Sequence, residues 1–397
     1  MPWNEVNVYE QRIRFAVLAT RGGESFQALC ERFGISRTTG YKWRDRYLRD
    51  GVAGLEEHSR KPHTSPQRTS SELEERVVEL RRKWPDWGAR KLRVKLAEQG
   101  VQLTRITIHR ILQRHGMIAE EDQVRPATTR FERSEANQLW QMDFKGLALA
   151  WKTGDLMPLS ILDDHSRYLL ELRAHRGTGG AQVRETLERV FSECGLPDEM
   201  LMDHGTPWWN MQGAGWTRVT VWLMQQGIKV RFCGYRHPQT QGKVERMHGS
   251  LNRALKRRGR PGSRDQWQPW LDGFRLEYNQ ERPHEALGMA TPSSRWEPSR
   301  RRFDPRPKRW EYEAGSLVLR VGVNGGLGWR GRRWEISRAL SHQWVALEPV
   351  GERVLVRYCR TTVRELDLKR GRSLPVSVNP QQFVWPSSDE TDEEEEG

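Results

Sequence analysis

A change of hydrophobic period at Gln138 limits the possible folds more than any other feature of the chain. Upstream, apolar residues recur three and four apart, as in Leu73, Val77 and Leu80, which is the stripe of an amphipathic helix. Downstream, Trp140, Met142 and Phe144 alternate with Gln141, Asp143 and Lys145, which predicts a strand with two unlike faces. Two more strands are expected at 157–162 and 168–172, around the turn Asp163-Asp164-His165-Ser166-Arg167. A helix over 180–194 (Val183, Leu187 and Val190 in register), a strand over 199–203, a helix over 216–226 and a strand over 228–233 follow. A further helix begins at Gly242, where Val244, Met247, Leu251 and Leu255 form one stripe. Strands and helices in this order make an α/β layer, preceded by an all-α segment. A chain of 397 residues built this way holds several domains.

The formal net charge is +14, yet the last nine residues, Asp389–Gly397, carry seven acids. Removing those acids leaves a body of +21, and its bases recur inside helical patterns. Such an excess points to a phosphate-bearing partner, with nucleic acid ahead of a merely soluble surface. Four cysteines lie far apart with no C-x-x-C, which argues against a zinc knuckle or a disulfide framework and for a reducing compartment. No apolar run approaches about 18 residues and no signal-peptide core is seen, so a cytoplasmic protein, associated with the nucleoid, is expected.

Residues 1–50 read as three short helices forming a helix-turn-helix unit. The second helix ends at Gly34, Ser36 caps the third, and Cys30 and Gly34 are the small residues expected to let helices approach. Ser36, Arg37, Thr38, Thr39, Tyr41, Lys42 and Arg44 are its expected DNA contacts; Gly40 is a local discord, since glycine weakens a helix. A Gly-, Pro- and base-rich linker, 51–69, leads to a second such unit at 70–118, broken at Trp84–Gly88 and capped by Thr104. There Arg90, Lys91, Arg105, Thr107, His109 and Arg110 are the expected DNA contacts. A linker at 119–136, a core at 137–290 and a basic, Pro-rich linker or DNA-tracking arm at 291–312 follow. Short alternating runs at 317–323, 328–336, 344–348 and 354–358 predict a small antiparallel β-barrel within 313–372. Residues 373–397 are expected to form a disordered acidic tail.

Three carboxylates carry the chemistry. Asp143 lies mid-strand, where aspartate is disfavoured and a misfit is often functional; Asp203 ends a strand, and Glu245 flanks a helical stripe among Lys243, Arg246 and Arg253. Brought together they would repel unless hard cations neutralised them. Two Mg²⁺ ions, or Mn²⁺ in their place, suit oxygen ligands and in-line displacement at phosphorus. The expected reaction is therefore phosphodiester cleavage or transfer on DNA. Lys145, His204, His237, Gln239, Thr240, Lys243 and Arg246 are the bases and polar groups expected to hold DNA near the metals.

The motifs W-Q-M-D-F-K-G (140–146), L-D-D-H-S-R-Y (162–168), G-L-P-D-E-M-L-M-D-H-G-T-P-W (195–208), H-P-Q-T-Q-G-K-V-E-R-M-H (237–248) and Y-N-Q-E-R-P-H-E-A-L (278–287) resemble the integrase-core transposases of bacterial insertion sequences. The nearest branch is insertion-sequence family four-eighty-one, whose pattern W-G-A-R-K-L (87–92) also matches. The resemblance spans roughly 55–298. It implies an RNase H-like core, a DDE triad falling on Asp143, Asp203 and Glu245, a synaptic multimer and strand transfer into target DNA. His204 stands where that family usually has asparagine, a departure that bears on full activity. The alternatives are a catalytically silent DNA-binding repressor or partner derived from a transposase, and a free-standing nuclease. An accessory protein docking on the barrel or tail is left open.

Overall fold

The computed structural model describes residues 8–56, 69–118, 132–146, 156–210, 215–233 and 242–376. His237, Gln239, Thr240 and the acidic tail lie outside them. The chain divides into two compact units, Met1–Ser70 and Ser71–Gly397.

The first unit packs α1 (Val8–Arg21), α2 (Phe26–Arg32) and α3 (Arg37–Asp50) around Phe15, Ala16, Leu29, Cys30 and Trp43. Ser25 and Ser36 cap α2 and α3 by accepting hydrogen bonds from the Ala28 and Thr39 N–H groups, each at 3.2 Å. The close approach between helices belongs to Gly40 and not to Gly34, which has open space around it. A Cβ on Gly40 would stand 2.6 Å from Cys30 Sγ and 2.9 Å from Phe15 Cζ. What looked like a discord in α3 is a packing requirement.

The second unit begins with α4 (Ser71–Lys83), α5 (Ala89–Glu98) and α6 (Arg105–Arg114), which bury Val77, Leu80, Leu92, Leu96, Ile108 and Ile111. Trp84 and Trp87 stack at 4.4 Å in the break between α4 and α5. Next come β1 (Leu139–Phe144), β2 (Met157–Asp163), β3 (Leu169–His175), α7 (Gly180–Cys194), β4 (Glu199–Met202), α8 (Arg218–Gln225), β5 (Lys229–Phe232), α9 (Gly242–Arg258) and α10 (Trp267–Gln280). The strands form one mixed sheet of order β3-β2-β1-β4-β5, antiparallel from β3 to β1 and parallel from β1 to β5. Trp140, Met142, Leu159 and Ile161 join Leu187, Phe191 and Trp222 of α7 and α8 in one core. Leu162, Leu169 and Leu172 join Val244, Met247, Leu251, Leu271 and Phe274 of α9 and α10 in another. Helices thus cover both faces.

The helical trio is fastened to this layer by a buried carboxylate. Asp86 accepts from Arg282 at 2.7 Å and from Arg258, whose guanidinium also meets Glu277 at 2.5 Å. Burial alone would raise the Asp86 pKa; Arg282 and Arg258 outweigh it and hold the carboxyl below its usual value.

The stretch 295–308 is not a free basic arm. Trp296 stacks on Tyr168 at 4.1 Å, Phe303 packs against Phe191 and Trp222, and Arg301 donates to the carbonyls of Pro197, Gln226 and Gly227. The C-terminal part comprises β6 (Leu317–Arg320), β7 (Gly326–Trp329), β8 (Arg332–Glu335), β9 (Trp344–Val350), β10 (Arg353–Tyr358), β11 (Thr361–Asp367) and β12 (Arg372–Leu374). Their antiparallel sheet runs β12-β11-β10-β9-β6 and leaves β12 and β6 as edges; β7 and β8 pair separately. The expected barrel is therefore an open sheet with a hairpin. The run 328–336, expected as one strand, turns at Arg330-Gly331, both with positive φ (53° and 68°), as a two-residue hairpin loop demands.

Two substitutions test this architecture. Gly40→Ala should destabilise the first unit by about 1–3 kcal/mol through overpacking, read as earlier hydrogen exchange of α1–α3 amides; unchanged protection would refute the close approach. Asp86→Ala leaves two arginines without their buried partner and should cost about 3–5 kcal/mol in thermal or denaturant unfolding of the second unit. A loss under about 1 kcal/mol would show the tie to be dispensable.

Candidate active site

The β1–β4 pairing places the first two acids. Gln141 lies opposite Leu201 in parallel register, so two residues further on Asp143 comes level with Asp203. With side chains alternating along β1, Trp140 and Met142 take one face, and Gln141 and Asp143 the other, beneath α9. The α9 stripe Val244, Met247 and Leu251 packs down on the sheet, which leaves Glu245, in the first helical turn, exposed beside it. The side chain of Asp143 is 21% exposed. Its pKa is pushed up to about 6, first by burial and then by the negative charges of Asp203 and Glu245, against a hydrogen bond from the Phe144 N–H and the charge of Lys145. The sheet and helix thus bring the three expected carboxylates within electrostatic reach of one another, with Lys145 alongside.

Asp203 is held by the Gly205 N–H, which donates to Oδ1 at 3.0 Å. A Cβ on Gly205 would lie 2.9 Å from Asp203 Oδ2, so any larger residue there would press on the carboxylate. His204 packs edge-on to Trp209 at 4.8 Å and stacks with Phe232 at 5.3 Å. Burial lowers its pKa against the opposing pull of Asp203, and the ring lies among Trp209 and Phe232.

Two residues on this face escaped the sequence reading. His248 Nε2 lies 2.9 Å from Ser160 Oγ, and its Nδ1 lies 3.7 Å from Asp143 Oδ2. Burial, with the Lys145 charge, lowers the His248 pKa to about 4, so this approach joins a neutral imidazole to the carboxylate and is no ion pair. Ser160 is the β2 residue directly opposite Asp143. The only local signal was that His248 falls one helical turn from Glu245; nothing in 157–162 singles out Ser160.

Lys243 is engaged elsewhere. Its Nζ meets Asp164 Oδ2 at 2.5 Å, it is 10% exposed, and burial, against the pull of Asp164, lowers its pKa to about 8. Asp164 also accepts from Gln141 Nε2 and the Arg133 N–H, both at 2.8 Å, while Asp163 accepts from the Ser166 and Asn137 N–H groups at 2.7 Å. This buried pair of aspartates organises the β2–β3 turn. Arg246 is exposed next to Glu245.

On α3, Arg37, Thr38, Tyr41 and Lys42 are exposed, Tyr41 stacks on Phe26 at 4.3 Å, and Arg44 lies over Tyr41 while pairing with Asp45. Ser36 and Thr39 are occupied by the cap. On α6, Arg105, His109 and Arg110 are exposed, whereas Thr107 bonds Thr104 in its cap. Arg90 pairs with Glu285 at 2.7 Å, and Lys91 turns inward to donate to the Pro283 carbonyl at 2.7 Å.

The donor set suits a hard divalent cation in kind: it is oxygen only, and one carboxyl is destabilised by burial and by its acidic neighbours, which a cation would offset. In this conformation no three acidic, histidine or cysteine side chains among the described residues converge closely enough to hold one ion. Among the described residues no helix is long and apolar enough to cross a membrane.

Comparison with known proteins adds the following. Family models described as a homeodomain-like domain match residues 7–56 and 39–112, and models described as an integrase core domain match 133–238 and 226–292. The chain is similar to the insertion element IS407 uncharacterized 31.7 kDa protein of Burkholderia multivorans (21% identity, 57% of this chain and 82% of that protein). It is also similar to the insertion element IS476 uncharacterized 39.2 kDa protein of Xanthomonas euvesicatoria (24% identity, 61% of this chain and 69% of that protein). Among solved structures, the HTLV-2 integrase catalytic core domain in complex with magnesium aligns over 41% of this chain and 97% of that one, at 15% identity and a TM-score of 0.32. The chain carries helix-turn-helix domains of the homeodomain-like kind and an integrase core, of the kind found in insertion-element proteins.

The repulsion at Asp143 has a measurable sign. Its cost to stability is absent below the ordinary value of 3.8 and fully present above about 6. Asp143→Asn should raise the thermal midpoint of the metal-free protein at pH 7, with the gain shrinking as pH falls through 6. A lowered midpoint at pH 7 would show that burial and the neighbouring acids together do not destabilise the charged Asp143.

Proposed function

We propose that the chain is a DNA transposase: its N-terminal helical domains bind the terminal repeats of an insertion element, and its integrase core cleaves DNA and joins the freed 3′-hydroxyl to target DNA. The observation that carries this reading is the β1–β4 register, which sets Asp143 level with Asp203, together with Glu245 in the first turn of α9, the helix that packs over that face. These three residues would hold divalent ions, Mg²⁺ or Mn²⁺. Bound metal would supply the positive charge that makes a water or hydroxyl nucleophilic and offsets the charge growing on the leaving oxygen.

The protein's own groups do the rest. The Gly205 N–H fixes the direction of Asp203, and the Ser160–His248 pair borders Asp143 so that its carboxylate has a settled position before DNA arrives. Lys145 and Arg246 present positive charge to the backbone phosphates at the site's rim. The aromatic wall of His204, Trp209 and Phe232 shields one side of Asp203 from water. Arg37, Thr38, Tyr41 and Lys42 of α3, with Arg105, His109 and Arg110 of α6, form the two reading faces. On this reading the domains run 1–50, 70–118, 137–290 and 313–372, synapsis requires several copies, and the protein acts on the bacterial nucleoid.

The test is strand transfer of labelled duplexes bearing the element's ends into a plasmid with Mg²⁺, comparing wild type with Glu245→Gln. Joining by wild type, abolished in the variant while end binding persists, is expected. Specific binding without joining by wild type would replace this reading with that of a silent DNA-binding protein; joining that survives Glu245→Gln would remove Glu245 from the triad.

A further inference from the structure

Two quoted motifs take no part in the carboxylate site: Trp87–Leu92 and the Arg282–Leu287 end of the last motif. The fold brings them together. A cavity of about 350 Å³ opens where the start of α5 and the outer face of α6 meet the loop that carries Glu285. Its lining includes Arg90, Lys91, Arg105, Ile106, His109 and Glu285, three permanent or near-permanent cations against one acid. Arg105 and His109 make no hydrogen bond or ion pair among the described residues. Lys91 forms the floor, with its ammonium on the Pro283 carbonyl at 2.7 Å. Burial, then the nearby Arg282, brings its pKa down to about 8, so at neutral pH it still adds positive field from below. The first turn of α5 faces the same space without a side-chain cap at Gly88, so its free N–H groups add to the positive end. Ile106, 55% exposed, supplies an apolar wall.

The acid is placed to be displaced. Arg90 and Glu285 are each about half exposed (54% and 52%), and an exposed pair of this kind contributes little that a phosphate would not restore. The volume exceeds that of a phosphate and admits a sugar with it.

We propose that this pocket takes one phosphodiester and its adjoining sugar from the DNA lying along α6, gripped by Arg90 and Arg105 once Glu285 has swung off Arg90. The inference rests on the reading of α6 as a DNA-facing helix. It adds that the core's own loop controls that grip, because Glu285 competes with the phosphate for Arg90. Glu285 occupies the site until DNA replaces it.

The experiment measures the affinity of the full chain for a labelled duplex bearing the element's end over a range of KCl concentrations. Arg90→Ala and Arg105→Ala should each make the plot of log affinity against log salt shallower by about 0.9, one phosphate contact apiece. Glu285→Gln should tighten binding several-fold in the wild-type background and have no effect in the Arg90→Ala background, because the two residues act as a pair. Unchanged slopes in both arginine variants, or a Glu285→Gln effect of equal size in both backgrounds, would overturn the proposal. Strand transfer run on the same duplex separates the two readings. Joining with unchanged slopes removes the pocket alone. Altered slopes without joining keep the pocket and remove the transposase.

Discussion

The carboxylate of Asp86 is the point on which the second unit depends. One buried acid in the break between α4 and α5 meets Arg258 at the end of α9 and Arg282 beyond α10. A buried charge is tolerable only when its partners are complete, so the helical trio cannot drift from the layer without stranding Asp86 and Arg282. The residues that flank Asp86 then inherit fixed positions: Arg257 donates to the Pro85 carbonyl, and Arg282 reaches over the Trp87 ring. In effect α6 is set at a constant offset from the sheet.

The sheet solves a different problem, that of holding like charges close. Asp143 sits on a strand whose other face is committed to the hydrophobic core, so its side chain has only one direction available. The parallel neighbour carries Asp203 to the same level, and α9, anchored by its own apolar stripe, brings Glu245 over them. Hydrophobic packing on both faces thus maintains an electrostatically unfavourable cluster. Such tension is common where a protein is prepared for a ligand that it does not itself supply.

Much of this was legible in the chain. Periodicity located β1 to β5 and the helices between them to within three residues, because each is a short run whose burial pattern is local. The three acids were singled out by misfit and motif. What local pattern could not show was partnership across long separations. Lys243 reads as a surface base until Asp164, 79 residues away, is found beside it. Gly40 reads as a weak point in a helix until Cys30 and Phe15 close on it. The barrel expectation failed for a related reason: alternation predicts strands, whereas closure depends on whether the two edge strands find each other, which no single strand encodes. Likewise Arg330-Gly331 interrupts a run whose flanks are both strand-like, and β11 was hidden by Arg364 and Asp367, charged residues that the fold buries.

The C-terminal sheet shares its interior with the catalytic layer. Val345, Leu347, Val354 and Leu366 lie in the same cluster as Trp216, Val219 and Leu223, the Trp216 indole donates to the Val363 carbonyl, and the Val230 N–H on β5 donates to Thr361 Oγ1. The open side of β5 is therefore occupied, and with it the edge along which a bare parallel sheet would recruit strands from other molecules. A fragment ending after α10 would expose Trp216, Val219 and Leu223 where the C-terminal sheet now covers them. The layer and the C-terminal sheet thus share one hydrophobic interior, and neither has a complete core without the other.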